Sequence, residues 1–184
     1  MSKKYEFTDE TIVVNGITLH RIKALIDFDR FGVKAGDLGG FIEVEANLSH
    51  DGNAWVYGDA LVYGNALVSE NAKVFPDALV YGNANVSGNA CVSGNALVSG
   101  NAKVSGNAKI KRSNDYACVN GFGPVYKNTT FFRCEDDLIR AQCGWFYGTI
   151  DEFRAKVKEA HGNSKYAKEY LMIADLMEYH FAED

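Results

Sequence analysis

The side chains best suited to chemistry lie in the last third of the sequence. Lys127, Asn128, Thr129, Thr130, Arg133 and Arg140 can supply cationic and hydrogen-bond donors, and Trp145, Tyr147, His161, Lys165 and Tyr166 follow them. Arginine beside aromatic rings suits a nucleotide or the acidic loop of a protein partner, because a guanidinium forks onto phosphate or carboxylate and also stacks on a ring. The plainer alternative makes Trp145, Phe146 and Tyr166 the core of a small domain and the cations its solvated rim. Four cysteines, Cys91, Cys118, Cys134 and Cys143, include no Cys-x-x-Cys pair and read as reduced, mostly buried thiols. Gly121-Phe122-Gly123 is too short for a phosphate loop. With no nucleophile elbow, no metal-spaced His/Asp set and no paired-acid motif, the sequence names no catalytic residue, no metal site and no cofactor.

Charge and hydropathy narrow the partners. The 184 residues carry 19 basic against 24 acidic side chains, a formal charge of −5, which supplies no basic field for phosphate backbones and disfavours generic nucleic-acid binding. The start, Met-Ser-Lys-Lys-Tyr-Glu-Phe, has no apolar run, and no stretch approaches the length a membrane span needs. The expectation is a cytoplasmic protein with no membrane partner.

The segment that precedes these groups is a repeat. From Ala54 to Ala108 every sixth residue is alanine, and from Val56 to Ile110 every sixth is valine, with isoleucine last. Asn precedes each alanine except at Asp59 and Asp77, and Gly precedes that except at Glu70 and Pro76. Ala-x-Val puts two side chains on one side of a short extended segment, since side chains alternate along a strand. Gly-Asn tolerates positive φ and turns the corner. Three segments close a coil of 18 residues, and ten hexads make a little over three coils. A helix fails because the glycines each cost about 1 kcal/mol and the period drifts.

This run resembles the hexapeptide-repeat proteins, whose signature is an aliphatic residue followed four positions later by a small one, as Val56 with Ala60 through Val104 with Ala108. The resemblance implies left-handed winding, against the usual crossover rule. The family's enzymes are mostly acyltransferases that need a histidine base, and the repeat holds none: His20 and His50 precede it, and His161 and His180 follow it. Acyl transfer, with His50 as base, is therefore kept as an alternative.

Residues eighteen apart share a face. One face collects Trp55, Tyr57, Lys73, Phe75, Cys91, Ser93 and Lys109. Another collects Leu61, Tyr63, Leu79, Tyr81 and Leu97 with Ser99, and the third becomes polar through Ser87, Lys103 and Ser105. The Leu/Tyr wall is an apolar patch that monomers seldom leave in water. It predicts a homo-oligomer, a trimer first and a dimer next, unless the chain's own carboxyl-terminal segment covers it.

Asn15-Gly16 between apolar runs predicts a hairpin over about Tyr5–Ala24. Lys34-Ala35-Gly36-Asp37-Leu38-Gly39-Gly40-Phe41-Ile42 and Ala46-Asn47-Leu48-Ser49 read as an irregular capping coil, with ligand binding by Asp37 and the glycines as the other reading. After Arg112 the period stops. Runs at 116–119, 129–134, 138–143 and 145–147 suggest a meander, Thr149-Ile150-Asp151-Glu152 is a capping box, and a second helix follows over about 164–181. The Lys-Ala-Gly-Asp-Leu-Gly-Gly stretch, together with Cys143-Gly144-Trp145-Phe146-Tyr147-Gly148-Thr149 and His161-Gly162, resembles a family of small phage and prophage proteins.

The expected architecture is mainly β: a left-handed parallel β-helix over 53–112, a hairpin and capping coil over 1–52, and an α+β domain over 113–184. The expected function is that of a non-catalytic oligomeric binding protein of phage or prophage type, in the host cytoplasm. Fold resemblance suggests a role against host antiviral defence, either sequestering a nucleotide signal or blocking a defence protein. A filament or virion component is the third class.

Overall fold

Asn15 and Gly16 take φ of 52° and 81°, the pairing that a two-residue type I′ turn requires. They join β1 (Tyr5–Val14) to β2 (Ile17–Ala24) as an antiparallel hairpin. The computed structural model describes residues 3–28 and 32–182, which fall into two units, 1–113 and 114–184.

In the first unit, β3 (Leu38–Ile42) runs antiparallel to β2 and parallel to the solenoid that follows. That solenoid has ten two-residue strands, β4 to β13, beginning at Trp55, Leu61, Leu67, Lys73, Leu79, Asn85, Cys91, Leu97, Lys103 and Lys109. They stack into three parallel sheets, β4-β7-β10-β13, β5-β8-β11 and β6-β9-β12, with β1, β2 and β3 extending the second. Every alanine and valine of the repeat, with Ile110, is at most 1% exposed, so each hexad buries one β-branched side chain, worth roughly 1.5–3 kcal/mol relative to water. Strand amides bond one coil on, as Leu61 N–H to Ala78 C=O at 3.1 Å and Leu79 N–H to Ala96 C=O at 3.0 Å, while alanine amides close the corners, as Ala72 N–H to Ser69 C=O at 3.2 Å. Outside, asparagines ladder along two corners, Asn65 to Asn83 to Asn101 at 3.0 and 2.9 Å and Asn53 to Asn71 at 3.2 Å.

Corner geometry explains the two departures from glycine. At Gly58, Gly64 and Gly82 the glycine carries the positive φ. Proline is locked near −65°, so at Pro76 the left-handed residue becomes Asp77, at φ 68°. Glu70 accepts φ 59° itself, and its carboxylate receives the Gly88 N–H one coil away at 2.8 Å.

The solenoid's amino-terminal end is closed by side chains as well as by backbone. Coil carbonyls point towards the start of the chain, and Phe41, Glu43 and Ser49 donate backbone amides to Ala60, Val62 and Val68. Near the three corners a side chain replaces the missing coil. Lys4 Nζ donates to Ala54 O at 2.9 Å, Arg21 Nη1 to Gly58 O at 3.1 Å, and Asn47 Nδ2 to Gly64 O and Ala66 O at 2.9 and 2.8 Å. Lys4 is 1% exposed, and burial lowers its ammonium pKa to about 8, with Asp51 acting in the opposite sense. Gly39 and Gly40 serve the same closure, because an added Cβ would stand 2.7 Å from Val56 O and 2.5 Å from Ala60 O. Asp37 accepts the Lys34 N–H at 2.8 Å and closes a turn.

In the second unit, β14 (Tyr116–Val119), β15 (Thr129–Arg133), β16 (Ile139–Cys143) and β17 (Phe146–Thr149) form an antiparallel sheet in that order. Thr149 caps α1 (Ile150–His161), exchanging hydrogen bonds with Glu152, and Ser164 caps α2 (Lys165–Phe181) through the Ala167 N–H at 3.3 Å. Phe131 and Ala141 of the sheet meet Phe153, Val157, Tyr170, Ala174, Met177 and Phe181 of the helices. No helix among the described residues is long and apolar enough to cross a membrane.

Candidate functional site

The inner stripe of α1 is read from Phe153 and Val157, and one more turn adds Ala160 and His161. These four, with Lys156, line a cavity of about 250 Å³ in the second unit, completed by Pro124, Val125, Lys127, Cys143, Gly144, Phe146 and Tyr170. Aromatic rings form part of its walls, with Phe153 edge-on to Tyr170 at 5.7 Å and 83° and tilted against Phe146 at 5.6 Å and 55°. The Tyr170 hydroxyl donates to Phe122 O at 3.3 Å, and burial pushes its pKa up to about 12, with Cys143 adding to the shift. It therefore stays a neutral donor. Gly144 turns the β16–β17 hairpin at φ 59°, and the next residue, Trp145, is fully exposed at 101%.

Of the eleven residues expected to bind, the structure places Lys127 and His161 at this cavity. Trp145 stands between two of its lining residues, and Tyr166 lies ring to ring with His161 at 6.5 Å. Lys165 is 3.4 Å from Glu169. The two arginines serve the fold. Arg133 Nη2 donates to Phe181 O at 2.6 Å at the end of α2, with Asp115 3.6 Å from its Nε. Arg140 forks onto Asp136 at 2.7 and 2.6 Å, which holds that carboxyl down to about 2. Thr129 and Thr130 are buried strand residues, Thr130 donating to Cys118 Sγ at 3.6 Å. Asn128 is half-buried before β15, and Tyr147 is 43% exposed with its ring 6.3 Å from Phe132. Trp145 is thus no part of a core, whereas Phe146 is. Of the four free cysteines only Cys134 is buried, so the expectation of mostly buried thiols is corrected.

Among the cavity walls that sequence reasoning missed are Lys156, Cys143, Val125 and Tyr170. Helical spacing from Phe153 could have found Lys156. The others depend on how β16 and the loop before β15 meet the helices.

Part of the Leu/Tyr wall meets the amino-terminal hairpin. Leu19, Phe41 and Tyr63 form a buried cluster, against which Ile12, Val14 and Ile17 of the hairpin pack together with Leu61, Leu79 and Tyr81. Leu97 is left at 36% exposed. The amino-terminal hairpin thus covers part of the patch, burying Tyr63 and leaving Leu61, Leu79 and Tyr81 half-buried.

His50 is held inside the cap. Its ring stacks on Tyr5 at 4.3 Å, its Nδ1 accepts the Lys4 N–H at 3.1 Å, and its Nε2 is buried without a hydrogen-bond partner. No group of three or more His, Cys, Asp or Glu placed to hold a metal occurs among the described residues. Comparisons of the chain with protein-family models and with curated proteins return no match.

Proposed function

We propose that this chain is a non-catalytic binding protein in which the solenoid is a rigid scaffold and the C-terminal α+β unit recognises a partner protein. One observation carries the reading: a fully exposed tryptophan on a tight turn beside an apolar cavity. Tryptophan is enriched among the few residues that dominate protein interfaces, and such residues pair with pockets. A protein partner fits better than a nucleotide. Arg133 and Arg140 are committed within the fold, and the 250 Å³ cavity lies below the range of roughly 300–1,000 Å³ usual for small-molecule sites. The hexapeptide-type repeat and the likeness to phage and prophage proteins favour a host defence protein as the partner class. For the acyl-transfer alternative, His50 has a buried Nε2 and an Nδ1 that accepts the Lys4 N–H, which argues against it as the base.

The test is native mass spectrometry of the full chain purified from infected cells, with Trp145→Ala alongside. A protein retained by the parent and lost from the variant, at equal thermal stability, supports the reading. A retained nucleotide, or a protein held equally by both, overturns it.

Self-association is a second reading favoured by the exposed Leu97. A trimer, or else a dimer, would bury this end of the wall. Sedimentation of the parent and Leu97→Asp decides: an oligomer that the aspartate dissociates supports it, and a monomeric parent removes it.

A further inference from the structure

The cavity beside Trp145 has a charge pattern that narrows its guest. Its twelve lining residues include Lys127, Lys156 and His161 but no aspartate or glutamate. Lys156 shares its ammonium with Glu159, at 3.0 Å, and that glutamate is 70% exposed and outside the lining. Its apolar walls include Phe146, Phe153 and Val157. Apolar cavities of about 150 Å³ hold benzene, so 250 Å³ takes a large ring with space for a linker. The edge-on Phe153 and Tyr170 rings present the geometry that a further ring prefers.

We infer that the guest is an aromatic side chain of a partner protein with a carboxylate directly beside it, the ring seated on Phe146 and Phe153 and the carboxylate at Lys127 and Lys156. This rests on the reading of the C-terminal unit as a protein-recognition module and adds the chemistry it selects. An aromatic residue followed or preceded by Asp or Glu meets the description. An aromatic flanked by lysine or arginine would bring like charges together at the mouth and be rejected.

The test titrates three probes of one shape into the full-length protein: 3-phenylpropionate, its amide, and 3-phenylpropylammonium. Methyl shifts of Val125, Val157 and Ala160, read by NMR, report occupancy. The carboxylate should bind about threefold to fivefold more tightly than the amide, the scale of exposed ion pairs, and the ammonium should bind weakest. The gap between carboxylate and amide should close in Lys127→Gln/Lys156→Gln, whose substitutions are on the surface, and should narrow in about 1 M salt. If all three probes bind alike, or the ammonium binds best, the charge rule fails while the cavity remains a binding site. If none shifts the three methyls, the cavity itself is no site and the broader reading falls with it.

Discussion

In the solenoid each hexad buries one alanine and one β-branched residue, so its core is written in nearly the same pair of residues ten times over. In the C-terminal unit the core is Phe131, Phe153, Tyr170, Met177 and Phe181, and no two of these occupy equivalent places. Repetition makes the first stiff and uniform, because every coil satisfies its neighbour's amides in one way. Irregular packing of large rings gives the second something a repeat of small residues lacks, a recess with aromatic walls. In this chain the scaffold and the candidate recognition surface differ in grammar before they differ in chemistry.

Core truncation tests that contrast most strongly. Phe131→Ala should destabilise the C-terminal unit by about 3–5 kcal/mol, whereas Val80→Ala should cost the solenoid roughly 2 kcal/mol. Both are read from denaturant unfolding, and equal costs would show that the repeat is packed as individually as the α+β unit. Next comes the cap. Lys4→Met strips a donor from the Ala54 carbonyl, which should cost about 1–3 kcal/mol at neutral pH. With its pKa lowered from 10.5 to about 8, Lys4 binds fewer protons folded than unfolded between those values. Parent stability relative to Lys4→Met should therefore rise with pH across that window, where the cost of burying the charge disappears, and stay flat below it. A relative fall would reverse the assignment. Glu70→Gly should change stability by less than about 1 kcal/mol, since relief of the left-handed backbone offsets greater chain freedom and the lost bond to Gly88. The smallest effect is on stability in Trp145→Ala, within about 0.5 kcal/mol, as expected of a side chain that packs on nothing. A larger loss would return Trp145 to the core.

Legibility in the sequence followed the range of the interactions. The Asn15-Gly16 turn, the Thr149/Glu152 capping box and the Ala/Val columns are local signals, and each element forms where those residues put it. The fates of Arg133 and Arg140 were not legible. Arg133 meets a carbonyl 48 positions away, and although Asp136 is only four residues from Arg140, the turn that aims it depends on the left-handed Asp137 at φ 60°. The Leu/Tyr wall was readable as apolar, but its partial cover was not, because period and spacing say nothing about how far the β1–β2 hairpin reaches. Of the candidate site, only Lys127, His161 and the adjacent Trp145 could be found from residue type.

The side-chain closure at Lys4, Arg21 and Asn47 has a bearing on how this molecule could change length. Those three residues fit only the first turn of the stack, so growth at that end would orphan them. Further along, each turn hands the same pattern of donors to the next, with partners 18 residues apart. Duplicating such a block in the middle would lengthen the prism by one strand spacing, about 4.8 Å, and leave both ends chemically unaltered. Evolution or an engineer could thus set the span between the two termini of the stack in fixed increments, as one adds links to a chain.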